Sequence, residues 1–447
     1  MIRFIRIKRI LFFFLFTCLM PIQQLVAQIN IVDEISQDSL LKNGFVGIHV
    51  FDLNQQKTKI DFQADRYFTP ASTVKLFTAF ASKKILDQKI LAAEFFESDD
   101  TLFIYPTGDP TFLHADFSEH PLLELIKKTN KPLTLLEPLD SVVPYGPGWA
   151  WDDQSETYMP ARSMFPIYGN ILSLEWQKMK KESDSCYYLT LQNTELPRSI
   201  FNKTETPDGN QSKITRLQGT NIFSIQLAGR KPIIKQTVPF DPMGLESAFL
   251  TLRNLNYRSV YKRKITPFDQ KRLKPLFSQS TDTVIQKMLF RSDNFFAEQL
   301  LLMCARKLKD TMDQSLVIDS LFKTDFEAMI NLPRWVDGSG LSRYNLFTPR
   351  SQTFLLEKMI RSFGVEYIKK ILPSNGKGTL KSFLPGYKPI VFAKTGSLSN
   401  NYCLSGLLTT KQGKEFLFSF MVNHVRGSSA EIRSRVERFI QKLYEEN

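Results

Sequence analysis

Three short strings contain residue types that together could carry out acyl transfer. They are Ser72-Thr73-Val74-Lys75, Ser292-Asp293-Asn294 and Lys394-Thr395-Gly396. A serine hydroxyl becomes a nucleophile when a neighbouring base removes its proton, and a lysine amine can be that base once its pKa is lowered. The strings therefore predict a serine acyl-transfer site whose base is a lysine.

No single string is specific when it is taken alone. Ser-x-x-Lys occurs five times, and the other four matches begin at Ser39, Ser259, Ser320 and Ser374. An isolated match of this kind is more often a helix cap followed by a solvated lysine. Lys-Thr-Gly occurs once, at the end of an apolar run. The order and the setting of the three strings are what indicate catalysis.

The spacing of the first string suits a base beside its nucleophile. On a helix, Ser72 and Lys75 stand three residues apart and share one face, so the amine can reach the hydroxyl. A free lysine amine has a pKa near 10.4, and deprotonating it at neutral pH costs roughly 4 to 5 kcal/mol. Burial and a second cation both lower that cost, and Lys394 is the candidate for the second cation.

The other two strings supply partners for this pair. Ser292 could relay a proton to the leaving group, and Asn294 could orient Lys75 and a substrate amide. Lys394 and Thr395 could bind a substrate carboxylate, while Gly396 would let a ligand approach the strand closely. The expected intermediate is an acyl-enzyme on Ser72.

The elements that must hold these residues lie at the two ends of the chain. A hairpin is predicted at 45–53 and 57–62, followed by a helix that opens at Pro70 and runs to about Ile85. Three strands at 390–395, 402–410 and 415–425 precede a final helix capped by Ser428 or Ser429. Hairpin and strands can form one antiparallel sheet, so the two ends should share a domain.

The middle of the chain has a different character. Residues 89–267 show short β-prone runs, such as 186–192 and 220–227, and few long amphipathic helices. Helical periodicity returns at 278–288 and 294–307. We therefore predict an α+β protein with a split domain at 28–88 plus 268–447. Residues 89–267, the accessory region, should be a large, mostly β insertion of one or two modules.

The N-terminus predicts export. Four basic residues and no acid lie in the first nine positions, and an apolar stretch follows from Ile10 to Met20. This layout is typical of a signal peptide, here residues 1–27, and the stretch is shorter than the roughly 20 residues that span a bilayer. A periplasmic or cell-envelope location is expected, and Cys18 leaves a lipid-anchored, membrane-associated form open.

Composition excludes several other classes of protein. The four cysteines have no close spacing and the four histidines are scattered, so neither a disulfide framework nor a metal site is predicted, and no cofactor is expected. The net charge of +13 is compatible with peripheral association with an anionic wall or membrane surface. No arginine–aromatic alternation points to nucleic acid. The sequence does not indicate an oligomeric state.

With these motifs the chain resembles the D-alanyl-D-alanine carboxypeptidase/endopeptidases of the low-molecular-mass class C penicillin-binding type. Five further strings carry the resemblance over essentially the whole mature chain: Pro70 to Lys75, Gly108-Asp109-Pro110-Thr111, Trp149 to Asp153, Ser292 to Glu298, and Asp337 to Arg343. The long stretch between Lys75 and Ser292 is also similar to this class, in which accessory domains are inserted there. At 105–107 the chain departs from the family pattern, since Tyr-Pro-Thr replaces the usual glycines.

The resemblance implies a β-lactamase/transpeptidase-like fold and cleavage of D-Ala-D-Ala ends or cross-links in peptidoglycan stem peptides, with β-lactams as covalent inhibitors. It implies that the backbone N–H groups of Ser72 and Ser397 form the oxyanion hole. It also implies a side pocket for the far end of the diamino acid, built from six residues: Asp153, Tyr158, Leu341, Arg343, Leu398 and Ser399. An ordinary interdomain salt bridge with packed aromatic residues is the competing interpretation of this last set.

Two other functions remain open at this level. A β-lactamase shares the nucleophile and the fold, although the long insertion argues against it and no deacylating glutamate can be assigned. A non-catalytic wall-binding or β-lactam-sensing protein would also retain Lys394 and Thr395. The intact set of three motifs argues against a non-catalytic protein.

Overall fold

The structure is a computed structural model that describes residues 33–178, 187–196, 202–205, 213–226, 235–256 and 259–447. The predicted signal peptide at 1–27, Cys18 and Cys186 lie outside the described residues.

The strands in this part of the chain are numbered from the N-terminus. They are β1 Phe45–Asp52, β2 Lys57–Phe62, β3 Lys89–Glu97, β4 Leu102–Pro106, β5 Leu133–Glu137, β6 Ile171–Lys178, β7 Tyr187–Leu191, β8 Asn202–Glu205, β9 Lys213–Arg216, β10 Ile222–Gln226, β11 Lys235–Pro239, β12 Val260–Lys264, β13 Lys274–Ser280, β14 Val391–Leu398, β15 Asn401–Thr409 and β16 Glu415–Asn423.

The principal helices are numbered in the same way. They are α1 Lys75–Ile85, α2 Pro121–Lys128, α3 Glu246–Leu255, α4 Pro267–Gln270, α5 Thr281–Arg291, α6 Asn294–Lys309, α7 Gln314–Lys323, α8 Pro349–Phe363, α9 Val365–Ile371 and α10 Ser429–Glu445. Two 3-10 turns matter for the site, Ala71–Val74 and Trp151–Ser155.

The two ends of the chain form one antiparallel sheet, as the sequence predicts. Its strand order is β14-β15-β16-β1-β2, and β1 joins the N-terminal hairpin to β16 with Phe45 opposite Asn423. Apolar residues alternate along β16, so Leu417 and Met421 face one core while Phe418 and Phe420 face the other. A sheet covered on both faces holds β14, which carries the Lys-Thr-Gly string, in a fixed register.

Helices cover both faces of this sheet. On one face, α10 packs Ile432, Val436 and Ile440 against the strands, and Ser428 caps it through a reciprocal hydrogen-bond pair with Glu431. On the other face, α1, α5, α6 and α8 contribute to a single core. Phe77 of α1 lies within it, in edge contact with Phe326, Trp335 and Phe347. This core fixes α1 against the sheet.

The accessory region is mostly β structure in its described parts. A five-stranded sheet has the order β12-β5-β4-β3-β13, and two three-stranded sheets have the orders β11-β6-β7 and β8-β10-β9. Helices α2 and α3 pack with these sheets in one apolar cluster that includes Leu122 and Leu252. Strand β13 lies beyond residue 267 and pairs with β3, so the five-stranded sheet extends past the boundary chosen from sequence. The division into domains remains a prediction.

Among the described residues, we find no helix whose length and apolar character would suffice to cross a bilayer.

The two-sided burial of β16 leads to a stability prediction. Leu417 is fully buried beneath the helices, and Leu417→Ala should lower the free energy of unfolding by about 2 to 5 kcal/mol, because it leaves a cavity. Leu139→Ala, at a residue that is 75% exposed, is the matched control and should leave stability unchanged. Urea denaturation of the two variants measures the difference. Equal midpoints would contradict the assigned core.

Candidate active site

Ser72 lies in a tight turn that leads into α1. The turn Ala71–Val74 is a 3-10 helix and α1 begins at Lys75, whereas the sequence predicted one continuous helix. In a 3-10 helix the side chains at i and i+3 are eclipsed, which places Ser72 directly beside Lys75. Lys75 Nζ donates a hydrogen bond to Ser72 Oγ at 2.8 Å. Nucleophile and candidate base are therefore in direct contact.

Three acceptors surround the Lys75 ammonium, and two of them come from distant parts of the chain. Besides Ser72 Oγ, they are Asn294 Oδ1 at 2.5 Å and the Ser339 carbonyl oxygen at 2.6 Å. The Lys75 side chain is 0% exposed. Burial lowers the pKa of Lys75 to about 8, although Asp337, Glu298 and Asp293 oppose the shift. With this pKa roughly one Lys75 in ten is neutral at pH 7, and this is the form that a general base requires.

The second string sits between two helices. Ser292 caps α5 with φ 60° and ψ 41°, a left-handed conformation that costs roughly 1 to 2 kcal/mol for a residue other than glycine. Asp293 then caps α6 by accepting a hydrogen bond from Phe296 N at 2.9 Å. The bend directs Ser292 towards Lys394. Asn294, the first residue of α6, contacts Lys75.

Lys394 of β14 is also fully buried. Its Nζ donates to Ser292 Oγ at 2.8 Å and to the Thr395 carbonyl at 2.6 Å. Burial, and after it the positive charge of Lys75, holds the pKa of Lys394 well below its ordinary value. The sequence hypothesis used Lys394 to lower the pKa of Lys75. Burial lowers the pKa of Lys75 instead, and the charge of Lys75 adds to the effect of burial on Lys394.

Two glycines allow the strand and a loop to approach the Ser72 turn. A Cβ on Gly396 would lie 2.5 Å from the Pro70 carbonyl oxygen and 3.0 Å from Ser72 N. A Cβ on Gly340, whose φ is +84°, would lie 1.9 Å from the Ala71 carbonyl oxygen. Any side chain at these positions would push the turn away, so only glycine suits them.

The approach of β14 places the two expected oxyanion donors near each other. Ser72 N lies beside Gly396, and Ser397 is the next residue along the strand. Ser72 is half-buried and Ser397 is exposed, so a substrate carbonyl could reach this edge from solvent. The geometry is compatible with an oxyanion hole made of the two backbone N–H groups.

The residues expected in the side pocket are brought together in part. Asp153, in the 3-10 turn Trp151–Ser155, accepts a hydrogen bond from the Tyr158 hydroxyl, and partial burial together with this anion raises the pKa of Tyr158. The Tyr158 carbonyl accepts from Asn294 Nδ2 at 2.7 Å, which joins this segment to the catalytic group.

The other side-pocket residues lie on two neighbouring loops. Arg343 N donates to the Gly148 carbonyl at 3.1 Å, so the loop with Leu341 and Arg343 borders the segment that carries Asp153. Within the described ranges, however, the exposed Arg343 side chain forms no ion pair, with Asp153 or with any other acid. Leu398 ends β14 and Ser399 follows it, and within the described residues no hydrogen bond or ion pair joins these two to the four other residues.

Sequence reasoning assigned no role to three buried charged residues below the site. Glu298 accepts from Ser339 N at 2.7 Å, and Asp337 accepts from Gly340 N at 2.9 Å and from Ser342 N at 2.6 Å. Arg162, from the accessory region, lies 3.4 Å from Glu298. Glu298 stands four residues after Asn294 on the predicted helix, and this spacing was the available signal.

The described residues contain no group of three or more histidine, cysteine or acidic side chains placed to hold a metal ion.

Comparison with known proteins relates this arrangement to cell-wall peptidases. The model of the D-Ala-D-Ala carboxypeptidase 3 (S13) family matches residues 28–443. D-alanyl-D-alanine carboxypeptidase DacB of Haemophilus influenzae is 25% identical over 462 residues, which cover 94% of each chain.

Solved structures of similar fold extend the comparison. The crystal structure of penicillin-binding protein 4 from Haemophilus influenzae gives a TM-score of 0.75 at 22% identity, over 93% of this chain and 98% of that one. A predatory endopeptidase of Bdellovibrio bacteriovorus, acylated by penicillin G, gives 0.52 at 15% identity, over 90% and 93% of the two chains. At these identities the structures establish a shared fold.

The environment of Lys75 predicts how the reactivity of Ser72 depends on pH. If neutral Lys75 removes the Ser72 proton, acylation by a fluorescent penicillin should accelerate about tenfold per pH unit below about pH 8 and then level off. Labelling reactions quenched at timed intervals over a series of pH values measure this rate.

The control is Lys75→Arg, whose guanidinium stays protonated and should leave the protein unlabelled. A rate that does not change between about pH 6 and about pH 9 would contradict the assignment of Lys75 as the base.

Proposed function

Because the chain belongs to the D-Ala-D-Ala carboxypeptidase 3 (S13) family, we propose that it is a serine DD-peptidase in which Ser72 is the nucleophile and Lys75 the general base. The observation that carries this proposal is the hydrogen bond from a fully buried Lys75 to Ser72 Oγ. Family membership favours a peptidase over the β-lactamase and the non-catalytic binding protein that the sequence left open.

The acylation half-reaction uses the contacts described above. Neutral Lys75 takes the proton of Ser72 Oγ as that oxygen attacks the carbonyl carbon of the penultimate D-alanine. The carbonyl π pair moves to its oxygen, which the backbone N–H groups of Ser72 and Ser397 stabilise. When the tetrahedral intermediate collapses, the C–N bond breaks and the leaving amine receives a proton from Ser292, which Lys75 replaces with the proton that it took from Ser72.

The deacylation half-reaction repeats these steps with water. Lys75, neutral again, takes a proton from a water molecule that attacks the ester carbonyl. The ester bond then breaks, and Ser72 Oγ takes the proton back from Lys75. The products are the shortened stem peptide and D-alanine, or two separated peptides when a cross-link is cut.

The low pKa of Lys394 gives the substrate carboxylate a part in activating Lys75. An anion bound beside Lys394 and Thr395 favours the charged form of Lys394. The new positive charge in turn disfavours a proton on Lys75, since Lys75 and Lys394 are electrostatically coupled. A peptide ending in a carboxylate would therefore help to produce its own general base.

We further infer that peptidoglycan stem peptides are the substrates and that β-lactams act as covalent inhibitors. Tyr158 contacts both Asn294 and Asp153, and the backbone of Arg343 contacts Gly148 of the neighbouring segment. The diamino acid of a stem peptide would extend along these residues. An acid, together with an arginine that has no acidic partner among the described residues, suits an amino-acid end that carries both charges. An enzyme with this substrate acts in the cell envelope, which agrees with the export predicted from the N-terminus.

Replacement of the nucleophile should abolish peptidase activity. Ser72→Ala should release no D-alanine from purified muropeptides, because the acyl-enzyme forms on Ser72 Oγ. Mass spectrometry of the digests measures the products and also distinguishes carboxypeptidase from endopeptidase cleavage.

The matched control is Ser39→Ala, which removes the serine of another Ser-x-x-Lys match at an exposed position. It should retain wild-type activity. Equal loss in both variants, or activity in Ser72→Ala, would refute the proposed nucleophile.

Loss of the Asp153 charge should weaken recognition of the diamino acid while the chemistry stays intact. Asp153→Asn should lower kcat/KM for stem peptides by roughly tenfold, the value of one charge-assisted hydrogen bond, and leave acylation by penicillin unchanged. Asp152→Asn, at the exposed neighbouring acid, is the control. If Asp153→Asn leaves peptide kinetics at the wild-type level, Asp153 does not belong to the pocket.

A further inference from the structure

A buried ion pair connects the accessory region to the catalytic lysine. Arg162, which is 5% exposed, lies with its Nη1 3.4 Å from Oε2 of Glu298, which is 1% exposed. The other carboxylate oxygen of Glu298 accepts from Ser339 N, and the Ser339 carbonyl accepts from Lys75 Nζ. A single peptide segment thus separates this ion pair from the proposed general base.

The arginine is held firmly on the side of the accessory region. Arg162 Nε donates to the Val143 carbonyl at 3.0 Å, and Arg162 Nη1 also donates to Gln314 Oε1 at 2.9 Å. Its guanidinium stacks over the ring of Trp149 at 5.4 Å. The Trp149 indole in turn donates to Asp337 at 2.9 Å. Two carboxylates, Glu298 and Asp337, hold the loop 337–342. Arg162 contacts Glu298 directly and reaches Asp337 through Trp149.

The charges of Arg162 and Glu298 offset each other beside Lys75. Burial and, after it, the charge of Asp337 raise the pKa of Glu298 to about 7, while Arg162 opposes the change. An ionised Glu298 without a counter-charge would favour the protonated form of Lys75, which is the inactive form of a base. The charged groups that face the Lys75 ammonium are Glu298, Asp337, Asp293 and Lys394.

We propose that Arg162 and Glu298 form a positioning pair that fixes the Ser339 carbonyl against Lys75 and balances the charge around it. This inference rests on the proposed role of Lys75 as general base. It makes the accessory region part of the catalytic apparatus, since the region supplies the cation of the pair.

The chain provides a closely matched control pair. Arg306 and Glu94 also join α6 to the accessory region through a largely buried ion pair, at the other end of the same helix. Within the described part of the chain, no hydrogen bond or ion pair connects that pair to Ser339 or to Lys75. A purely structural role for arginines at this boundary would apply to Arg162 and Arg306 alike.

The test is the pH dependence of acylation by a fluorescent penicillin in the full-length protein. Removing a cation raises the pKa of neighbouring groups and removing an anion lowers it. Arg162→Met should therefore move the midpoint of the rate profile upward by about one pH unit, and Glu298→Gln should move it downward by a similar amount. The double variant should return towards the wild-type midpoint, and Arg306→Met should leave it unchanged.

The outcomes distinguish this proposal from the function on which it rests. Midpoints that coincide in wild type, Glu298→Gln and Arg162→Met would overturn the positioning role, as would an equal shift in Arg306→Met. A wild-type protein that takes up no label would instead refute the function. If Arg162→Met does not fold, Glu298→Gln and the neutral double variant carry the test, because glutamine keeps the acceptor for Ser339 N.

Discussion

The structure around the active site depends on one constraint, the burial of the Lys75 amine. A lysine removed from water is costly unless its hydrogen bonds are satisfied, and here three segments supply the acceptors: the turn before α1, the start of α6 and the loop that contains Ser339. The same burial lowers the pKa of the amine. The feature that would destabilise an ordinary core thus provides a base that can be neutral near neutral pH.

The remaining architecture can be understood as support for those three segments. The five-stranded sheet holds β14 beside the Ser72 turn, where Gly396 permits close approach, and the apolar core around Phe77 fixes α1. Helix α6 contributes twice, since Asn294 contacts Lys75 directly and Glu298 acts through Ser339. The accessory region reaches the same point through Arg162. A long insertion between the first two motifs is therefore compatible with a precise site, because the insertion packs against the loop that the site needs.

Much of this arrangement was predictable, for reasons that differ between elements. The hairpin, the three C-terminal strands and the final helix have clear periodicity and caps, so their union in one sheet followed from the sequence. The pairing of β13 with β3 did not, because it joins segments that are distant in sequence and carry no local signal. The serine and the lysines that we propose to be catalytic were identified from their motifs. The ion pair of Arg162 and Glu298 was missed, since partners so far apart in the chain become visible only when the fold brings them together.

In the proposed reaction Ser72, activated by Lys75, becomes covalently acylated. Peptide mapping by mass spectrometry after treatment of the protein with penicillin locates the adduct. We expect one penicilloyl group, on the peptide that contains Ser72, and none in Lys75→Arg. An adduct on any other residue, or an unmodified Ser72 in wild-type protein, would show that the proposed nucleophile is wrong.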